Sequence, residues 1–194
     1  KEKVKARQQT GTFLIEGKKE ISLAFKGGYE IQTVLFYSDI CSENEIRKWL
    51  KDVQLIQINK KIFKKLAYRK NSEGIIGVAK SKTLSLSNLK LTERPLILVA
   101  ETPEKPGNIG ALLRTADAAN VDAVIIANPN GDLYNPNVVR SSIGCLFTNQ
   151  IAIGTTTEIL RFLKSQNIAV YCAALQNAIP YYSQDYTLPT ALVV

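Results

Sequence analysis

Asn108, Gly110 and Arg114 are the residues whose types and spacing best suit chemistry in a chain of 194 residues that contains no histidine. Without histidine the commonest general base and the commonest zinc ligand are missing, so catalysis must run on arginine, lysine, carboxylates, hydroxyls or a bound cofactor. Asn108 stands at the mouth of an expected helix, where free backbone N–H groups gather, and Arg114 follows Gly110 by four residues and so lies over it on one face. An amide, a set of N–H donors and one fixed positive charge are thereby brought to a single helix. Taken alone, the two side chains suit a plainer pair of roles equally well, an asparagine cap and a snorkelled arginine.

The elements that must position them are legible on either side. Leu96 to Ala100 and Ala123 to Ala127 are short, charge-free runs suited to strands buried on both faces of a parallel sheet. Between them Gly107-Asn108 opens a helix after a proline-punctuated loop, and Ala111, Leu112, Leu113, Ala116, Ala118 and Ala119 give it propensity and a broad apolar surface. Further on, the stretch from Pro129 to Phe147 predicts two turns and a short helix, leading to a strand around Leu146 to Ile153. Thr155 and Glu158 form a capping box for a helix whose Ile159, Phe162 and Leu163 face the core. Ile168 to Leu175 and Ala191 to Val194 read as strands. The alternation predicts an α/β fold, a parallel sheet covered by helices on both faces. Ligands of such sheets bind beyond the carboxyl ends of the strands, here the loops 101–108, 128–142 and 175–182. No G-x-G-x-x-G or P-loop follows any strand, which disfavours a dinucleotide fold or an NTPase.

Charge divides the chain. Residues 1–90 hold 19 basic and 9 acidic side chains, a balance of +10, whereas residues 91–194 hold 6 and 8, a balance of −2. Such asymmetry favours a polyanion-binding module joined to a chemically different one. The first half opens on a basic, mobile lead-in and then alternates strands (12–15, 31–37, 55–58, 75–79) with helices. One helix has Ile21, Ala24 and Phe25 on its inner side and Gly27-Gly28 as its stop. The next opens on a Ser42/Glu45 capping box and turns Ile46, Trp49, Leu50 and Val53 inward. The third places Ile62, Phe63 and Leu66 inward and Lys60, Lys61, Lys64 and Lys65 outward, followed by Arg69 and Lys70. These six cations are the candidate RNA-binding face, and if all met phosphates on a single strand the salt slope would be about −4 to −5. The polar, Ser/Lys-rich residues 81–94 read as a linker.

Cys41, Cys145 and Cys172 are widely spaced and odd in number, so neither a disulfide framework nor a metal site is suggested, and they read as buried, reduced thiols. No uncharged run approaches the roughly 18 residues of a membrane span, and no signal peptide opens the chain, so a cytoplasmic protein without a metal is expected. The absence of methionine, even at position 1, and the stop at Val194 within an apparent strand suggest an internal portion of a longer protein.

The pattern N-x-G-x-x-x-R-T-A, here Asn108, Gly110, Arg114, Thr115 and Ala116, resembles motif 1 of the SpoU/TrmH family of RNA ribose 2′-O-methyltransferases within the SPOUT superfamily. The first half, through its phrases FLIEGKKEI and EGIIGVA, resembles the substrate-binding domain that precedes the catalytic domain in many of these proteins, a small α/β fold akin to one ribosomal RNA-binding family. The resemblance implies residues 1–80 as an RNA substrate-binding domain, 81–94 as the linker and 95–194 as the methyltransferase domain. It implies S-adenosylmethionine as cofactor, ribosomal or transfer RNA as partner, a homodimer, and a C-terminal trefoil knot whose loops hold the cofactor. Motif 2, G-x-E-x-x-G, would follow TALVV, and motif 3 later still. Neither is present, so the chain as given is expected to be incomplete and inactive, with the knot appearing only in a longer chain. Among the residues present, Ala174, Leu175 and Gln176 are the candidates for the cofactor wall. Asn135, Arg140, Ser141, Ser142 and Gly144 resemble the segment that lines the RNA side, with Arg140 and Ser141 as candidate contacts.

A ribose 2′-hydroxyl is a poor nucleophile at neutral pH, and a sulfonium methyl reacts only along the line opposite its sulfur, so the protein must position both and ease loss of the hydroxyl proton. Family proposals make the motif arginine the proton acceptor. A guanidinium with a pKa above about 12 is better suited as an electrostatic clamp on ribose hydroxyl or phosphate, which is the role expected of Arg114, with Asn108 orienting it or the ribose. The alternative is a non-catalytic RNA-binding protein that retains the fold. A third reading, an enzyme acting on a small anionic metabolite, leaves the +10 half unexplained.

Overall fold

The computed structural model describes residues 4–68 and 73–194, so Arg69 and Lys70 lie outside the described residues. In chain order the elements are α1 (Val4–Thr10), β1 (Thr12–Glu16), α2 (Lys18–Lys26), β2 (Ile31–Phe36), α3 (Glu43–Arg47), β3 (Gln54–Gln57), α4 (Lys60–Leu66) and β4 (Ile75–Lys80). After a 3₁₀ turn at Leu86–Asn88 come β5 (Leu96–Glu101), α5 (Pro106–Ala118), β6 (Ala123–Ala127), α6 (Pro136–Ser141), α7 (Cys145–Thr148), β7 (Ile151–Gly154), α8 (Thr156–Ser165), β8 (Ala169–Cys172) and β9 (Thr190–Val193). They form two compact units, residues 1–82 with 133–148 and residues 83–132 with 149–194.

In the first unit a sheet of order β1-β4-β2-β3 is antiparallel except between β2 and β3. Alternation along β1 turns Phe13 and Ile15 into the core, and α2 adds Ile21 and Ala24. Phe13 packs on Tyr134 at 4.4 Å between ring centroids, Tyr29 meets Phe147 of α7 edge-on at 5.2 Å, and Val138 and Val139 of α6 are buried, so the segment holding α6 and α7 is built into this core. Several expectations are corrected. The lead-in is a helix, α1, with Arg7 buried. Phe25 and Ile62 are exposed, because α2 needs only Ile21 and Ala24, and the seven-residue α4 only Phe63, to cover the sheet. α3 stops at Arg47, whose guanidinium donates to the carbonyls of Lys51 at 2.7 Å and Val53 at 2.8 Å and so closes a turn where more helix was expected. Trp49, on that turn, is half-buried rather than core.

The second unit is a fully parallel sheet of order β7-β6-β5-β9-β8. From β5 the chain steps outward through α5 to β6 and then to β7, after which α8 carries it back past β5 to β8 at the far edge. Right-handed crossovers in opposite directions put α5 and α8 on opposite faces. One face buries Ile97, Val99, Ile125 and Ala152 beneath Ile159 and Leu163 of α8, while Val124 and Ile126 point to the other. The expected linker does not run free. Leu86, Leu89 and Leu91 pack against the α8-side core, and Gln150 clasps the backbone of Lys90, because leucines recurring among the polar residues have an apolar face to cover.

Two strands are shorter than expected. Leu146–Thr148 is helical, and β7 starts only at Ile151. β8 ends at Cys172 because its partner β9 offers a last acceptor, the Val193 carbonyl, to the Ala173 N–H. As the edge strand it leaves Cys172 exposed. Cys145, at the start of α7, is partly exposed, and only Cys41 is buried as expected.

Candidate active site

The sheet order reverses between β5 and β9, and the crevice beyond the carboxyl ends of the strands at such a reversal is where open parallel sheets take ligands. The loop after β5 leads there directly into α5, whose first residue is Pro106 and whose N-cap is Lys105. Asn108 is therefore the third helical residue and not the cap, and it is exposed. Arg114 is exposed on the same helix, six residues on and about 9 Å further along its axis. Between them Ile109, Gly110 and Leu113 are buried, so α5 is pinned to the sheet while Asn108 and Arg114 stay on its outer surface.

Beside this loop lies a hydrogen-bonded group around one carboxylate, not singled out from sequence. Glu101, the last residue of β5, accepts hydrogen bonds from Asn128 Nδ2 at 2.9 Å, from Thr102 Oγ1 at 3.0 Å and from Thr156 Oγ1 at 3.0 Å. Asn128 Nδ2 also donates to Thr156 Oγ1 at 2.6 Å. The Asn128 hydrogen bond, supported by those of Thr102 and Thr156, holds the Glu101 carboxyl below the usual carboxylate range. Asn128 follows β6 and Thr156 opens α8 after β7, so one side chain ties the exits of three adjacent strands. The only signal in the sequence is an acidic residue ending an otherwise apolar strand.

Ala174, Leu175 and Gln176 are exposed at the start of the long loop from β8 to β9, Leu175 by 95%. Tyr186 packs edge-on against Tyr171 of β8 at 5.1 Å between ring centroids, and Gln184 donates to the Tyr171 hydroxyl, which ties the far end of that loop back to its strand.

The expected RNA contacts fall in the first unit. Lys60, Lys61, Lys64 and Lys65 are all exposed on α4, which Asn59 caps by accepting from the Ile62 N–H at 2.9 Å. Arg140, placed by chain order near the sheet, belongs instead to this unit and lines a cleft with Leu66, Tyr68, Glu16 and Glu20. Ser141 is half-buried and its hydroxyl donates to the Val138 carbonyl at 3.2 Å, one turn back in its own helix. No group of three His, Cys, Asp or Glu side chains that could hold a metal occurs among the described residues, and no helix among them is long and apolar enough to cross a membrane.

Comparison with known proteins meets this geometry at both units. Residues 1–77 match the MRM3-like substrate binding domain, and residues 95–194 match the SpoU rRNA Methylase family. The chain is 27% identical over 98% of its length to 73% of the 23S rRNA (guanosine(2553)-2′-O)-methyltransferase RlmP of Bacillus subtilis. The crystal structure of an RNA 2′-O ribose methyltransferase superposes on 99% of the chain and 74% of its own, with a TM-score of 0.83 and 32% identity. The fold is also that of the SpoU methyltransferase AviRb from Streptomyces viridochromogenes in complex with AdoMet, with a TM-score of 0.88, 24% identity, and coverage of 99% of this chain and 76% of that one. With the family model matched over residues 95–194, more than half of the chain and the whole of the parallel sheet with its motif helix, this chain belongs to the SpoU rRNA Methylase family, an α/β fold of the SPOUT type.

Proposed function

We propose that the protein transfers a methyl group from S-adenosylmethionine to a ribose 2′-hydroxyl of ribosomal RNA, in the cytoplasm and as a homodimer. The observation that carries the reading is the exposed pair Asn108 and Arg114 on α5 at the sheet's topological switch, on a chain whose relatives RlmP and AviRb are a 23S rRNA 2′-O-methyltransferase and an AdoMet-bound SpoU enzyme. The residues present suit the cofactor. Leu175 and Ile179, exposed beyond the switch, supply apolar surface for an adenine ring, and Ala174 and Gln176 add backbone and amide groups for its polar edge. When bound, the cofactor supplies an electrophilic methyl group on sulfur.

The chain's own residues do the rest. Arg114 presents a planar fork that engages the ribose hydroxyl and an adjacent phosphate together, and its fixed positive charge stabilises the oxygen as its proton leaves. Asn108 orients the ribose through its amide. Lys60, Lys61, Lys64 and Lys65 grip phosphates without reading sequence, with Arg140 in the same unit, and Ser141 adds a minor polar contact. Arg69 and Lys70 extend the same basic run.

The test uses labelled S-adenosylmethionine with 23S ribosomal RNA transcribed in vitro, and with transfer RNA alongside. Label should enter the ribosomal RNA at one nucleotide whose 3′ phosphodiester then resists alkaline cleavage, since a methylated 2′-oxygen cannot attack it. Tight RNA binding without methyl transfer by a chain that carries all three family motifs would instead identify a binding protein that retains the fold. Sedimentation should give twice the monomer mass.

A further inference from the structure

The loop that delivers Asn108 leaves the sheet in an unfavourable conformation. Thr102 has φ 48, in the left-handed region that a β-branched residue rarely occupies, and Asn128 has φ 45 in the same region, which asparagine tolerates better. Both follow the last hydrogen bonds of the sheet directly, where Thr102 N–H donates to the Ala127 carbonyl and Asn128 N–H to the Gly154 carbonyl, each at 2.9 Å. The backbone ladder ends at the point where the strain begins. What continues past it is the Glu101 carboxylate, which receives both side chains and Thr156 besides. Strained backbone persists where surrounding structure over-determines it, and it clusters at functional sites.

We propose that Glu101 is a positioning residue for methyl transfer, one that holds Thr102 and Asn128 in the left-handed conformation and thereby fixes the direction in which residues 102–105 leave β5 and the place at which α5 presents Asn108. The inference rests on the role proposed above for Asn108. Glu101 touches neither substrate nor cofactor in this role. It acts through backbone geometry, with Asn128 and Thr156 transmitting the constraint to the exits of β6 and β7. An ionised carboxylate suits the task because its acceptor sites take three donors at once, whereas a glutamine has one acceptor oxygen and sets an NH₂ group against its neighbours' donors. The hydrogen bonds from Asn128, Thr102 and Thr156 hold the Glu101 carboxyl below the usual carboxylate range, so the brace is ionised at neutral pH.

The experiment compares the parent with Glu101→Gln, with Glu101→Gln/Thr102→Gly and with Asn108→Ala in the full chain. Glu101→Gln should lower the single-turnover rate on 23S ribosomal RNA by about tenfold to a hundredfold, the effect of a small misplacement of a positioned group, and leave RNA affinity unchanged. Amide hydrogen exchange across residues 102–108, measured without RNA or cofactor, should quicken in the same variant. Glycine adopts positive φ without penalty, so adding Thr102→Gly should restore part of the rate. A parental rate in Glu101→Gln, or unchanged exchange, would overturn the proposal. A loss that Thr102→Gly does not relieve at all would overturn it too, by showing that the carboxylate meets the reacting groups itself. Failure of the underlying reading is separate: Asn108→Ala would then methylate at the parental rate, whatever the exchange data show for Glu101→Gln.

Discussion

A guanidinium that does chemistry and one that only covers a helix differ in what a lysine can replace. Arg114→Lys keeps the charge and much of the stem but loses the planar fork that can engage a hydroxyl and a phosphate together. The side chain is exposed and its helix is anchored by Ile109, Leu113 and Ala116, so thermal stability should barely move. In a chain that carries all three family motifs, methyl transfer should fall by orders of magnitude, in single-turnover rate far more than in RNA or cofactor affinity. Near-parental transfer by the lysine variant would reduce Arg114 to a snorkelled side chain. At this scale legibility follows separation in sequence. Asn108, Gly110 and Arg114 lie within seven residues, and helical periodicity alone sets their relation. Glu101 finds Asn128 27 residues away and Thr156 55 residues away, and nothing local announces partners brought together only by strand order.

Helix starts marked by a capping box were legible to within a residue, although the end of α3 was not. Ser42/Glu45 and Thr155/Glu158 both form reciprocal capping boxes at the expected helix starts. The stretch around Leu146 was not, because a short apolar run suits a strand and a buried helix turn alike. The contact that accompanies the helical turn lies at Gly27, the C-cap of α2. A Cβ on Gly27 would stand 2.3 Å from the carbonyl oxygen of Phe147, and Gly144, at φ 91, would put one 2.4 Å from Leu23 Cδ1. Gly27 thus lets the end of α2 approach the backbone of α7, and Gly144 makes room for the Leu23 side chain. Gly27→Ala has no positive φ to blame, so its cost comes from contact with main chain that cannot swing aside. It should destabilise the first unit by about 1–3 kcal/mol through overpacking. Urea denaturation followed by the Trp49 fluorescence should show an earlier midpoint at unchanged slope. A midpoint equal to the parent's would mean that α7 does not pack on α2 as described.

Across the molecule, the division of charge and the division of structure nearly coincide. Residues 1–82 supply most of the basic excess, and the 133–148 segment that joins them carries Arg140, while the parallel sheet with its motif helix belongs to the unit without that excess. The charge split was plain from composition. The return of residues 133–148 to the first unit was not, since it depends on Tyr134 and Phe147 filling an aromatic cluster with Phe13 and Tyr29. Under the function proposed above, this division separates binding from chemistry. Lys60, Lys61, Lys64 and Lys65 are exposed on one short helix, and phosphate contacts release counterions without reading bases. Replacing all four by glutamine should weaken RNA affinity at every sequence alike and make the salt dependence shallower by about 3 in log–log slope, at roughly 0.7 per phosphate on a single strand. Affinity for S-adenosylmethionine should not change, because the candidate cofactor residues belong to the other unit. With RNA saturating, the single-turnover rate should approach the parental value, since Asn108 and Arg114 are untouched. An unchanged salt slope would remove the α4 lysines from the RNA-binding surface, and a lost rate at saturating RNA would show that they take part in placing the ribose.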